Sequence, residues 1–183
     1  MRQYPLVLAL LVCSALGLST AHAASKRAHQ HGVAALGVAV EKARISITLD
    51  SPLDNLLGFE RAPRTDDEKQ RAAALVATLK AADTLFRIDP AAGCKLATVE
   101  IDAPLLGQGS TPADVAGAAN NTHADLEADF EFACTDGSKA GFIEAGLFEA
   151  FKRMQRIEAQ VVGPKGQAKA VLKRPTARIT LVR

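Results

Sequence analysis

The chain has 183 residues, with 22 Lys and Arg against 20 Asp and Glu, so its formal net charge is only +2. It contains no Trp and a single Tyr. Such a chain offers neither the electrostatic attraction nor the aromatic stacking surface that nucleic-acid binding needs, and this class of function is excluded. The same weak charge makes it a poor partner for an anionic membrane surface.

The first 23 residues are typical of an export signal. Arg2 supplies a positive charge, an apolar stretch runs from Leu6 to Leu18, and Ala21-His22-Ala23 provides the small residues that signal peptidase requires. The apolar stretch is shorter than the roughly 20 residues of a membrane span, and a permanent N-terminal anchor is the alternative. We predict that residues 1–23 are removed and that residues 24–183 form a single periplasmic domain without membrane attachment.

Two of the three histidines that remain after cleavage, His29 and His31, stand one residue apart near the new N-terminus. In an extended backbone, residues at this spacing point to the same side. Imidazole is the commonest ligand of transition metals, so the pair is a candidate metal-binding element. The alternative is that both side chains are exposed at a mobile terminus and bind nothing.

Hydrophobic periodicity predicts the elements that follow. Apolar residues alternate with small or polar ones from Leu36 to Val40 and from Ile45 to Leu49, which indicates two antiparallel strands. Thr65 and Glu68 have the spacing of a capping box at the start of a helix. Further along, the sequence predicts a strand at 97–101, a flexible loop at 104–121, a strand ending at 134, a helix at 143–153, a hairpin within 157–172 and a last strand at 179–181. The expected fold is α+β and mainly β, with an antiparallel β-sandwich-like core and about two helices packed on it.

The strand that ends at residue 134 has two contrasting faces. Its apolar residues begin at Leu126 and recur at every second position up to Cys134. One histidine and four carboxylates alternate with them on the opposite face: His123, Asp125, Glu127, Asp129 and Glu131. This face is interpreted either as a solvated acidic surface or as a cation site near His123.

Two cysteines, Cys94 and Cys134, remain after signal removal. An even pair in an exported protein predicts a disulfide bond. Closing a loop of about 40 residues stabilises a fold by roughly 3–4 kcal/mol in the chain-entropy description. The alternative is that both sulfurs are thiolate ligands of a metal.

Seven short motifs follow one another along the mature chain. They are His29-Gln30-His31-Gly32-Val33-Ala34, Leu49-Asp50-Ser51-Pro52, Leu56-Leu57-Gly58-Phe59-Glu60-Arg61-Ala62-Pro63, Ala92-Gly93-Cys94-Lys95-Leu96, His123-Ala124-Asp125-Leu126-Glu127, Phe132-Ala133-Cys134 and Val162-Gly163-Pro164. In this order they resemble the zinc-regulated periplasmic protein family of Gram-negative bacteria, long known only as a domain of unknown function. The resemblance implies a periplasmic protein that binds zinc and assists a high-affinity zinc importer, with the importer's periplasmic binding component as a partner.

The chain departs from the family pattern in two places. Many members carry a histidine-rich loop before the His123 segment, whereas residues 105–121 contain no histidine. Many have histidine at the position of Arg61, whose guanidinium stays protonated and cannot bind a metal. The resemblance therefore carries over three histidines, with three nearby carboxylates as oxygen donors: His29, His31 and His123, with Glu60, Asp125 and Glu127.

Zinc is bound by about four nitrogen, sulfur or carboxylate oxygen ligands. We predict one exchangeable surface site formed by His29, His31 and His123 and completed by Asp125 or Glu127. Copper(II) and nickel(II) are alternative ions, because the affinity order of nitrogen sites favours copper over zinc.

No motif predicts catalysis, since the chain has neither the Gly-x-Ser-x-Gly nucleophile elbow nor a His-Glu-x-x-His helix. We therefore predict that the protein is not an enzyme. Two functions follow from the sequence: a periplasmic zinc-binding accessory protein that assists zinc uptake or storage, or a metal-free envelope module that acts through protein–protein contacts.

Overall fold

A computed structural model describes residues 30–109 and 124–181 of the chain. The strands in these ranges are β1 Val33–Val40, β2 Arg44–Pro52, β3 Phe86–Ile88, β4 Cys94–Asp102, β5 Asp125–Cys134, β6 Phe142–Ala145, β7 Arg156–Gly163, β8 Gly166–Lys173 and β9 Arg178–Thr180. The helices are α1 Leu53–Leu57, α2 Asp66–Lys80, α3 Ala82–Leu85 and α4 Leu147–Ala150. In the same ranges, no helix is long and apolar enough to cross a membrane.

The strands form two sheets. Six strands make the larger sheet in the order β4-β5-β2-β1-β7-β8, and the smaller sheet has the order β3-β6-β9. Neighbouring strands are antiparallel, except that β1 and β7 are parallel. The predicted α+β, mainly β fold is confirmed. The parallel pair was not foreseen, because apolar residues alternate in the same way whichever direction the neighbouring strand runs.

One face of the larger sheet is buried and forms the core. Leu36, Ile47 and Phe130 on its central strands are almost inaccessible to solvent, as is Leu79 of α2. The smaller sheet packs on the same face, where the rings of Phe86 and Phe130 lie 5.1 Å apart. The opposite face of the larger sheet carries the polar side chains, including the acidic residues that alternate along β5. The smaller sheet therefore packs on the core side of the larger sheet, and the buried residues of the helices belong to the same hydrophobic core.

The predicted helix at 143–153 is wrong over its first part. Residues 142–145 form strand β6, whose Ile143 and Ala145 are buried at alternate positions, and only Leu147–Ala150 are helical. Over so short a stretch, the spacing of the apolar residues fits both a helix and a strand. The strand forms because β6 pairs with β3 and β9.

The predicted disulfide is confirmed. Cys94 and Cys134 face each other across the pair formed by β4 and β5, and their sulfur atoms are bonded. Neither sulfur is therefore a thiolate ligand. The bond ties the edge strand β4 to its neighbour at the end of β5 that is far from Asp125.

The predicted flexible loop at 104–121 lies only partly in the described ranges. Pro104–Leu106 form a single 3-10 turn, and residues 110–121 lie outside the described residues, as does the predicted signal peptide at 1–23. The predicted loop and the predicted cleavage both stay predictions.

The capping box at the start of α2 is confirmed. The Thr65 hydroxyl accepts a hydrogen bond from the Glu68 amide, and the Glu68 carboxylate accepts one from the Thr65 amide. The same carboxylate accepts two hydrogen bonds from the Arg61 guanidinium, at 2.6 and 2.9 Å, and one from the Arg64 amide. The Arg61 guanidinium and these two backbone amides hold the pKa of Glu68 well below its ordinary value.

This network predicts a pH-dependent stability. A carboxyl group whose pKa is lower in the folded than in the unfolded state adds stability above its unfolded pKa of about 4.3 and loses it as the pH falls below that value. We expect Glu68→Gln to lower the urea midpoint at pH 7 and the difference from wild type to shrink at pH 3. Glu149→Gln, which changes an exposed carboxylate on α4, is the control and leaves both midpoints unchanged. A difference of equal size at both pH values would refute the proposed role of the Glu68 network.

Candidate metal site at the start of the first strand

The structure describes only some of the metal ligands that the sequence predicts. His31 lies in the turn that leads into β1, and Asp125 and Glu127 lie at the start of β5. His29 and His123 are outside the described residues. The geometry of the candidate site is therefore that of His31 and its surroundings.

His31 is paired with Glu60, in the loop between α1 and α2. The Nε2 atom of the imidazole lies 2.9 Å from the Oε1 atom of the carboxylate. Both side chains are open to solvent, with 67% of the His31 side chain and 39% of the Glu60 side chain exposed. An imidazole nitrogen and a carboxylate oxygen are two of the ligand types that zinc prefers. The pair thus brings two suitable donor groups together at the surface.

The backbone on the C-terminal side of His31 is fixed by hydrogen bonds from two directions. The Gly32 amide donates to Oδ1 of Asn55 at 2.6 Å, and the Gly32 carbonyl accepts from the amides of Gln155 and Arg156 at 2.8 and 2.9 Å. Gly32 has a φ of +79°, a conformation that side chains with a Cβ disfavour. The turn that carries His31 is therefore held between α1 and the start of β7.

Asn55 is the buried centre of this arrangement. It is 1% exposed, and its Nδ2 atom donates to the Val33 carbonyl at 2.8 Å and to Oγ of Ser51 at 3.1 Å. Together with the bond from Gly32, these contacts join α1 to the end of β2 and to the start of β1. A buried amide with three such bonds is satisfied, so it adds order without the cost of an unpaired polar group.

The start of β5 reaches the same helix. The Leu53 amide, at the beginning of α1, donates to the Ala124 carbonyl at 2.7 Å. On another side of α1, the Arg153 guanidinium binds the Asp54 carboxylate at 2.9 Å and also donates to the Asp54 carbonyl. The beginnings of β1 and β5 are therefore both in contact with α1. A metal site shared by the N-terminal histidines and the start of β5 requires that these two strand ends lie near each other.

The two β5 carboxylates lie on a strand that is separated from β1 by β2. Asp125 lies opposite Pro52, and Glu127 lies opposite Asp50, which in turn lies opposite Ala35. Glu127 is thus two strand spacings, about 9–10 Å, across the sheet from β1. Within residues 30–109 and 124–181, no three His, Cys, Asp or Glu side chains form a group that could hold a metal ion. Completion of the site by Asp125 or Glu127 stays a prediction.

Arg61 follows Glu60 in sequence but serves a different part of the fold. Its guanidinium lies on the Glu68 carboxylate at the start of α2 and 5.1 Å from the centre of the Phe59 ring. The hydrogen bond to Glu68 raises the pKa of Arg61 further, which agrees with its exclusion as a ligand.

Sequence reasoning identified His31 but not all of its neighbours. Glu60 was among the oxygen donors that the family resemblance implies, yet Asp125 and Glu127 were preferred to complete the site. Asn55 was missed. A signal for it exists, since Asn55 is the polar residue next to Leu56 and Leu57 in an apolar segment, where a polar group has to find buried partners.

The fold and this turn define a mainly β, α+β protein that presents an exposed imidazole–carboxylate pair at one end of its larger sheet. The model of the ZrgA family of zinc uptake proteins matches residues 28–181, and the chain belongs to that family. This confirms the resemblance to a zinc-related family and connects the chain with zinc uptake. No curated protein matches the chain.

Proposed function

We propose that this protein is a periplasmic accessory protein that binds zinc at the start of β1 and assists its uptake or storage. The contact that carries the proposal is the 2.9 Å approach of the His31 imidazole to the Glu60 carboxylate. Family membership supports zinc as the ion. Zinc is here the cargo of the protein and not a structural element.

The ligand set combines structure and sequence. His31 and Glu60 supply two donors, and zinc takes about four. His29 and His123 are proposed as the others. His29 is two residues from His31 in sequence, and His123 is bonded to Ala124, whose carbonyl is held by α1. Asp125 and Glu127 remain the proposed alternatives to Glu60, because both lie at the start of β5.

The exposure of the donor pair favours exchange over permanent retention. Structural zinc sites are closed by four protein ligands, whereas both described donors here face solvent. A site of this kind can pass the ion to a partner, and we propose the periplasmic binding component of a zinc importer for that role. Copper and nickel are competing ions because the same donor types bind them. We propose no catalytic activity.

The proposal is tested in the native host. A strain without the gene is grown under zinc limitation and complemented with the wild-type gene, with a gene encoding His31→Ala and Glu60→Gln together, or with Glu100→Gln as a matched control, which changes an exposed carboxylate on the edge strand β4. Wild type and Glu100→Gln should restore cellular zinc, and the double variant should not. Fractionation should find all three proteins in the periplasm. Full complementation by the double variant would instead favour the metal-free envelope module.

A further inference from the structure

The side-chain amide of Asn55 forms hydrogen bonds with the turn that carries His31. Asn55 accepts a hydrogen bond from the Gly32 amide and donates one to the Val33 carbonyl. These are the two residues that directly follow His31. The Asn55 side chain is 1% exposed, so solvent does not replace either bond when it is lost.

The helix α1, which carries Asn55, is itself held by contacts to its neighbours. The Asn55 amide also binds Oγ of the fully buried Ser51, and its helix is held by the Arg153–Asp54 pair. Glu60 follows α1 after a short loop, so the chain itself connects Glu60 to this helix. Asn55 connects the turn of His31 to the same helix. Replacing a residue that holds a ligand in its binding orientation typically costs about 10- to 100-fold in metal affinity.

We propose that Asn55 is the positioning residue of the metal site, which sets the His31 imidazole against Glu60 before the ion arrives. This inference rests on the proposed function for its effect on zinc. Its effect on the geometry of the metal-free protein does not depend on zinc. A purely structural role would lower stability without changing the His31–Glu60 approach or the zinc affinity of the folded protein.

The test compares Asn55→Ala with two controls in the chain that begins at residue 24. Ser51→Ala removes the third partner of Asn55 and keeps its bonds to Gly32 and Val33. Val38→Ala truncates a buried side chain further along β1 and destabilises that strand without touching the turn. For each variant, nuclear Overhauser effects between the His31 ring and the Glu60 side chain are recorded without metal. Zinc affinity is then measured by competition with a chelator.

We expect the His31–Glu60 Overhauser effects to disappear in Asn55→Ala and its zinc affinity to fall about tenfold. Both control variants should keep the Overhauser effects and the zinc affinity of wild type. If Asn55→Ala does not fold, Asn55→Ser takes its place, since its shorter hydroxyl cannot span both backbone groups. Retention of the Overhauser effects or of the affinity in a folded Asn55 variant would overturn the inference. If wild type itself binds no zinc, the proposed function fails, and the Overhauser effects alone decide the role of Asn55.

Discussion

Glu60→Gln is expected to weaken zinc binding by at least about tenfold, and His31→Ala by at least as much, because losing a ligand should cost no less than losing a residue that orients one. The carboxylate is a zinc-type donor held 2.9 Å from the imidazole, and Gln keeps its size while removing the negative charge. Competition with a chromophoric chelator at neutral pH measures the change. Because both side chains are exposed, neither substitution should alter the urea midpoint by much.

Glu100→Gln is the matched control for this prediction. It makes the same chemical change at an exposed residue of the edge strand β4, three strands away from β1. We expect it to leave the zinc affinity unchanged. A loss in Glu127→Gln together with full affinity in Glu60→Gln would move the site to the β5 face, where the sequence hypothesis first placed its carboxylate.

Removing the disulfide is expected to cause the largest loss of stability. Replacing Cys94 and Cys134 together by Ala opens a loop with a sequence separation of 40 residues. In the chain-entropy description, this lowers the free energy of unfolding by about 4 kcal/mol. Urea denaturation measures the change. Reduction of the wild-type protein should produce a similar loss and should have no effect on the double variant.

The same double variant also separates stability from metal binding. The disulfide joins β4 to the last residue of β5, and Asp125 begins that strand nine residues earlier. We therefore expect the folded double variant to keep the zinc affinity of wild type. Equal urea midpoints for oxidised and reduced wild-type protein would contradict the predicted contribution of the disulfide, and a loss of zinc affinity would contradict its separation from the site.

The sequence patterns predict the elements whose structure is determined by residues close together in the chain. The alternation in β1 and β2 and the capping box of Thr65 and Glu68 are properties of short segments, and both are present. The parallel pairing of β1 with β7 depends on residues more than 100 positions apart, which no local pattern encodes. The sequence predicts a helix where β6 forms for the same reason, since the strands that pair with β6 are distant in sequence.

The candidate site was predicted in part. His31 follows from the chemistry of imidazole and from its spacing to His29. The partner of His31 could not be derived from periodicity, because Glu60 lies in a loop whose course depends on α1. Asn55 shows most clearly what sequence reasoning lacks: its importance comes from its burial and from bonds to Gly32 and Val33, which are 23 and 22 residues away.

The most direct test of the account is native mass spectrometry of the chain that begins at residue 24, without metal and then with increasing zinc. The account predicts that wild type retains one zinc ion, and that both a variant with His29→Ala and His31→Ala and a variant with His123→Ala lose it. Loss in only one variant would contradict a shared site and assign the ion to the residues changed in that variant. If wild type retains no more zinc than a non-specific control protein, the zinc-binding account is wrong.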